Sequence, residues 1–306
     1  MTNKIVAIQG NHPSKLNPIT DTSVFLANEI QNKNYKIFYY DPKDLSVINL
    51  KVIASGFFIK FDYSKKKFFK ILKRQKLDLT KCKFILIRQD PPFNLEYISA
   101  TYMLDNIKNK VKIINNPTSI RNVSEKLYSV RYQKYMPNTI FTQNINEIKK
   151  FFKKHKKVIL KPIHSYSGND IHLLNKFNLK LINQFIKKHD HIMCQKYLPK
   201  ISKGDKRVFL INGKIKGVIS RVPKKNSILT NMSKGASAKN TYLTNVERKI
   251  SKKVASHLKK NKIYFAGIDF IQEKLIGDIN VTSPTGLVSY YNLTGNNLAE
   301  YFWNNI

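Results

Sequence analysis

Gly267–Thr285 reads GIDFIQEKLIGDINVTSPT. Ile268 and Phe270, then Ile279 and Val281, are strongly apolar and alternate with acids and an amide. This alternation predicts two β-strands, Tyr264–Ile271 and Leu275–Val281, joined by a short turn and packed on a core by one face. Asp278 and Asn280 are two residues apart and so share the opposite face. A cross-strand neighbour at Asp269 completes a cluster of oxygen donors. Hard divalent cations such as Mg2+ take carboxylate and amide oxygens and share their remaining positions with phosphate and water. Asp269, Asp278 and Asn280 are therefore the candidate metal ligands. The competing reading is a solvated hairpin edge, against which the four apolar neighbours argue.

Upstream of this segment the chain remains rich in hairpins. Lys206–Ile211 and Lys214–Ser220 flank Asn212-Gly213, a pair that between β-type runs is the strongest short-range hairpin signal. Asn245–Lys260 has the spacing of a basic helix. Asp205-Lys206-Arg207 places alternating charges at a strand start, where Arg207 can neutralise a carboxylate or a transferring phosphoryl group. A strand over Ile192–Gln195 runs into Gln195-Lys196-Tyr197-Leu198-Pro199. The backbone of such an extended segment fits an adenine edge, with Leu198 on the ring face; an ordinary interlobe linker has the same appearance. Lys161 ends a buried strand over Val158–Lys161, just before Pro162, a suitable place for a phosphate ligand. Lys126 lies in a helix predicted over Ser124–Tyr135.

The first part of the chain has a different pattern. Lys4–Gln9 is a buried strand, Asp21–Gln31 has helical spacing behind an N-cap among Thr20, Asp21 and Thr22, and Tyr35–Tyr40 is a second strand. Uninterrupted apolar strands in a β-α-β start predict a parallel sheet covered on both faces. Phe84–Ile87 is a further buried strand and leads into Arg88-Gln89-Asp90-Pro91-Pro92-Phe93. Ligands of open α/β sheets sit beyond the carboxyl ends of strands, which places Arg88 and Asp90 near substrate. Val111–Ile114 is the next strand, stopped by Asn115-Asn116-Pro117. The change from β-α-β to hairpins divides the chain into residues 1–121, 122–200 and 201–306.

The chain has 306 residues, a formal net charge of +36, and 55 basic against 19 acidic residues. Only seven of the basic residues are arginine; the other 48 are lysine, spread along the chain among asparagine, isoleucine and tyrosine. Base-edge readers and phosphate clamps favour the arginine fork. The charge is therefore read as lysine on solvated faces, and no specific nucleic-acid partner is expected. Hydrophobic residues make up 42%, enough for a substantial core. Cys82 and Cys194 lie in apolar surroundings with no metal-ligand spacing. No apolar run reaches about 18 residues, and the N-terminus lacks a signal-peptide pattern. A cytoplasmic protein without a membrane span is expected.

In order, RQDPPF, YISATYMLD, NNPTSIRNVSEKLY, VILKP, QKYLP, GDKRVFLINGKI, GIDFI and INVTSPT resemble prokaryotic glutathione synthetase of the ATP-grasp superfamily. The resemblance runs from the first strand to about Thr285. It implies an α/β and α+β, three-lobed ATP-grasp fold: an N-terminal parallel-sheet domain (the pre-ATP-grasp domain), a lid and a C-terminal lobe carrying the metal. It also implies an ATP-dependent C–N ligase that joins γ-glutamylcysteine to glycine through an acyl phosphate, with ATP and Mg2+ as cofactors and Mn2+ as the alternative ion. A homo-oligomer is compatible with it. By motif, Lys126 and Lys161 resemble the ATP-phosphate lysines. Gln195, Lys196, Tyr197 and Leu198 resemble the adenine segment, and Asp205 the acid of the nucleotide lobe. Arg207, Arg221 and Asn231 take the catalytic places. Arg88, Asp90, Ser283 and Thr285 take the substrate side, and Asp269, Asp278 and Asn280 the metal.

The chain departs from the family in four places. The lid loop reads HSYSGND, with only Gly168, although the hydroxyls of Ser165 and Ser167 remain for phosphate. An Arg-Gly-Asn element becomes Leu229-Thr230-Asn231, so the amide stays and the arginine is lost, with Lys234 or Lys239 as the replacement charge; the following loop reads SKGASAK. A metal-binding Glu becomes Asp278 after a turn one residue longer. A charged stretch becomes Gly286-Leu287-Val288-Ser289-Tyr290-Tyr291. The alternatives to glutathione synthesis are therefore an ATP-grasp ligase with another acid or amine and a nucleotide-binding homologue without turnover.

Overall fold

A computed structural model describes residues 4–62, 65, 67–165, 168–225 and 227–306. Its first sheet holds β1 (Ile5–Gln9), β2 (Lys36–Tyr40), β3 (Leu45–Ile48), β4 (Lys51–Phe61), β5 (Phe69–Asp78), β6 (Phe84–Ile87) and β7 (Lys112–Ile114). The order is β3-β4-β2-β1-β6-β7, with β5 paired to β4. β2, β1, β6 and β7 run parallel, as the apolar runs predict. β3, β4 and β5 extend them as an antiparallel ribbon, so the whole sheet is mixed.

Both faces of this sheet are covered. Val6 and Ile8 face helix α1 (Thr22–Asn32), while Ala7 faces α2 (Leu95–Asp105) and α3 (Pro117–Asn122). The Asp21 side chain caps α1 by accepting from the amides of Ser23 and Val24 at 2.6 and 2.9 Å, an ordinary N-cap.

A four-stranded sheet follows: β8 (Thr139–Thr142), β9 (Val158–Pro162), β10 (His172–Leu174) and β11 (Ile192–Lys196), ordered β10-β9-β11-β8. With α4 (Ile145–His155) and α5 (Leu179–His189) it encloses a core of its own around Ile148, Leu160, Ile182 and Cys194.

The last sheet has the order β14-β13-β12-β15-β16. It is built from β12 (Asp205–Ile211), β13 (Lys214–Val222), β14 (Ser237–Asn240), β15 (Phe265–Ile271) and β16 (Lys274–Asn280). Ile268, Phe270, Ile279 and Val281 pack with α6 (Asn245–Lys260), as the alternation in Gly267–Thr285 requires. Phe209, Ile211 and Phe265 lie on the other face. They share a core with the first sheet through α7 (Leu287–Thr294) and α8 (Leu298–Asn304). Asn115 links the same two parts: its amide donates to Phe265 O and Val281 O, and its carbonyl accepts from the amides of Tyr264 and Phe265.

The helix predicted over Ser124–Tyr135 is corrected. Leu127–Tyr135 forms 3-10 turns broken at Tyr132, and no side chain caps their start. Cys82 and Cys194 are buried free thiols, each pushed up to about 12 by burial.

Candidate active site

The carboxyl ends of the N-terminal strands, the lid sheet and the hairpin β15–β16 border one cavity of about 650 Å³. The hairpin positions the acids by slipping its register. Gly267 pairs with Asn280 and Ile268 with Ile279, whereas Phe270 pairs with Leu275. Asp269 therefore faces the three residues 276–278, and Gly277 turns through φ +86°, a backbone that favours glycine, against the side-chain ends of Met193 and Met136. This slip brings Asp278 to the cavity wall.

Asp278 sits between two lysines. Lys161, from β9, approaches Oδ2 at 3.2 Å and also donates to Ile276 O at 3.0 Å. Lys126 lies 3.7 Å from Oδ1 and donates to Ser165 O in the lid loop at 2.9 Å. Burial raises the Asp278 carboxyl, but Lys161 and Lys126 outweigh it and hold the group ionised below its ordinary range. Asn280 Oδ1 is buried with no hydrogen-bond partner among the described residues. A buried acceptor without a donor is costly, and beside a carboxylate it suits a cation. Among the described residues no three His, Cys, Asp or Glu side chains form a metal cage. Asp278 and Asn280 are the candidate oxygen donors for a cation; the Asp269 carboxylate beside them is turned to Arg207 and Arg221.

Deeper in the sheet, four charges alternate. Arg207 donates from Nε and a terminal nitrogen to the two oxygens of Asp269, at 2.7 and 2.6 Å. Arg221 grips Asp205 in the same two-pronged way and reaches Asp269 Oδ2 at 2.8 Å. Burial pushes the Asp269 carboxyl up, yet the two guanidiniums prevail and hold it down at about 2. All four side chains are buried and all border the cavity. Each arginine keeps its other terminal nitrogen free of these pairs, so a fixed donor remains for a ligand oxygen.

The adenine segment is narrower than the sequence suggests. The amide of Lys196 donates to Asn138 O and that of Tyr197 to Lys157 O, leaving the amide of Leu198 as the candidate donor. The Gln195 side chain is turned onto Thr139 Oγ1 at 2.9 Å. Ile201, Ile271 and Ile276 form an apolar wall with Tyr197, Leu198 and Ile228, and all six border the cavity.

On the N-terminal side, Asp90, Ser283 and Thr285 border the cavity. Asp90 accepts from Asn11 at 2.8 Å, and Ser283 donates to Gln89 O at 2.7 Å. Arg88 lies behind the wall, donating to Ser23 Oγ and Pro284 O. Asn231 borders the cavity, but Lys234 and Lys239 do not. Ser167 lies outside the described residues, and the Ser165 hydroxyl donates to Asn169 O.

Several lining residues were missed in the sequence. Glu125 has a carboxyl raised mainly by burial, which Lys126 only partly offsets. Its position next to Lys126 in SEKLY was the available signal. Lys15, Asn17, Thr20 and Asp21 line the cavity from the segment after β1, where Thr20 and Asp21 carry only an N-cap signal in the sequence. Thr230 carried no sequence signal.

The family profile described as prokaryotic glutathione synthetase, N-terminal domain, matches residues 5–121, and the one described as prokaryotic glutathione synthetase, ATP-grasp domain, matches residues 125–295. A glutathione synthetase of Agrobacterium fabrum is 32% identical over 309 residues, covering 99% of this chain and 96% of its own length. That of Buchnera aphidicola subsp. Baizongia pistaciae is 34% identical over 300 residues, covering 96% of this chain and 92% of its own. Among solved structures, the ATP-grasp ligase PsnB with a precursor variant, Mg and ADP superposes with a TM-score of 0.62 at 11% identity. It covers 99% of this chain and 97% of its own, a likeness of fold.

Proposed function

The chain belongs to the prokaryotic glutathione synthetase family, ATP-dependent ligases that join γ-glutamylcysteine and glycine, and we propose that its reaction runs in the cavity between the three sheets. The observation that carries this reading is the gathering of two phosphate-type lysines, Asp278 and two braced arginines around one cavity.

The chemistry has two steps. The cysteinyl carboxylate attacks the terminal phosphorus of ATP, forming an acyl phosphate and releasing ADP. The glycine nitrogen then attacks the acyl carbon; the C–N bond forms, the C–O bond to phosphate breaks, and the amine proton leaves to solvent. Lys126 and Lys161 hold the phosphate chain, and the backbone at Leu198 with the isoleucine wall takes the base. Arg207 and Arg221 offer donors where charge gathers on the transferring group, and Asn231 adds an amide from the opposite loop. Such groups act by position and charge, which suits a reaction that asks for little covalent help. Asp90, Ser283 and Thr285 border the end taken by the acid substrate, with Arg88 bracing them from behind. Asp278 and Asn280, with Asp269 beside them, would hold Mg2+, or Mn2+ in its place, which when bound neutralises phosphate charge.

No helix among the described residues is long and apolar enough to cross a membrane. The two buried free thiols support a reducing, cytoplasmic setting.

Purified protein given ATP, Mg2+, γ-glutamylcysteine and glycine is expected to release phosphate and tripeptide in equal amounts, read by a phosphate assay and mass spectrometry. Phosphate with a different acid or amine from a panel would keep the ligase and replace the substrates; no phosphate with any pair would overturn the reading. Lys161→Met is expected to weaken ATP binding by about 10-fold or more, the loss of a charge-assisted contact. Nucleotide titration checks this, and unchanged binding would remove Lys161 from the phosphate site.

A further inference from the structure

Residues 227–233 cross the cavity mouth between β13 and β14, and Ile228 through Ser233 border it. Most of this loop's hydrogen bonds are its own: Leu229 N to Ser227 Oγ, Lys234 N to Asn231 O and Gly235 N to Met232 O. Among the described residues, one hydrogen bond ties residues 227–233 to a residue outside the connection between β13 and β14. The Thr230 hydroxyl donates to Asp205 Oδ2 at 2.6 Å. Asp205 is fully buried at its side chain and is the carboxylate that grips Arg221 with both oxygens. Arg221 in turn touches Asp269, which holds Arg207. Thr230 is thus the outer end of a chain of contacts, Thr230–Asp205–Arg221–Asp269–Arg207. Its neighbour Asn231 faces the lid so closely that a Cβ on Gly168 would lie 2.5 Å from Asn231 Oδ1.

We propose that Thr230 is a positioning residue: its hydroxyl seats the 227–233 loop on Asp205, and so sets the Asn231 amide over the cavity and the plane of Arg221 beneath it. The hydroxyl is needed because the acceptor is a buried carboxyl group already gripped by Arg221, where a bond into a charged pair is strong and directional. A methyl group of the same size fills the space but removes the bond that ties the loop to Asp205. The inference rests on the assignment of Arg221 and Asn231 to the reaction, and the test separates the two.

The variants are Thr230→Val, which removes the hydroxyl at nearly constant volume, and Thr230→Ser, which keeps it. Hydrogen exchange on each full-length protein reads the loop directly. Amides of residues 227–233 are expected to exchange about 10-fold faster or more in Thr230→Val, as follows from losing a bond to a charged group. Thr230→Ser is expected to exchange at the native rate. In the ligase assay, kcat of Thr230→Val is expected to fall about 10-fold while KM for ATP stays within about threefold, since the contact bears on the transferring group and not on the nucleotide. Native exchange rates in Thr230→Val, or equal impairment of Thr230→Ser, would overturn the proposal. Absence of tripeptide synthesis by the native protein would overturn the substrate reading alone, because the exchange data would still decide the seat of the loop.

Discussion

Asp269→Asn is expected to lower the stability of the protein by about 3–5 kcal/mol, the usual cost of removing one partner from a buried ion pair. Asp269 binds Arg207 through two bonds and Arg221 through a third. An asparagine offers one acceptor oxygen and turns an NH2 group towards a guanidinium. Arg207 would then lose its two bonds to a carboxylate while Arg221 keeps Asp205, leaving a net positive charge out of water. The bonds between Asp269 and the arginines also predict an acid dependence. The carboxyl is depressed from 3.8 to about 2; a depressed acid contributes its stability above its ordinary pKa and loses it as pH falls through the folded value. The native protein should therefore lose part of its stability between about pH 4 and pH 2, and the Asn variant should lack that portion. Denaturant midpoints at several pH values measure both. A change below about 1 kcal/mol would show that the four charges are far more hydrated than their burial implies.

Asp278→Asn is expected to lower turnover by at least about 100-fold, the scale seen when a preorganised charge partner of a transition state is lost, with the fold intact. Two effects oppose each other in nucleotide binding. The substitution removes a carboxylate suited to a divalent cation, but it also releases Lys126 and Lys161 from an anion within 3.7 and 3.2 Å. Two freed ammoniums attract a phosphate chain more strongly. ADP binding in the presence of a chelator should thus be retained or tightened, while the Mg2+ needed for half-maximal turnover rises. Turnover within about threefold of native would remove Asp278 from the metal set.

These two positions were legible before any coordinates because they lie on strands whose apolar partners fix the facing of every other residue. The hairpin Gly267–Thr285 needed only a period of two. Elsewhere the same rule failed for physical reasons. β5 reads FKILKRQKLD and is mostly exposed, so its lysines mask an edge strand as a solvent loop, and the ribbon β3–β5 went unread. The 3-10 turns at Leu127–Tyr135 carry helical spacing in sequence, yet Tyr132 breaks them. Arg88 ends a strand where ligands gather, but strand position does not say which way a side chain turns. This one turns to Ser23 and Pro284. Thr230 was invisible because its meaning comes from a carboxylate 25 residues away, brought close by the pairing of β12 with β13.

Consider last the core that the first and third sheets share. Ile8, Phe25 and Phe84 pack in one cluster with Phe209, Phe265, Leu287 and Trp303, and Asn115 adds four hydrogen bonds across the same boundary. Most of the lid sheet's apolar side chains pack among themselves, while Met193 and Phe141 turn into the core of the third sheet. Mechanically the molecule then resembles a hand with palm and fingers fused and a thumb whose interior is largely its own. The wall that carries Asp90 and the wall that carries the arginines are a single casting.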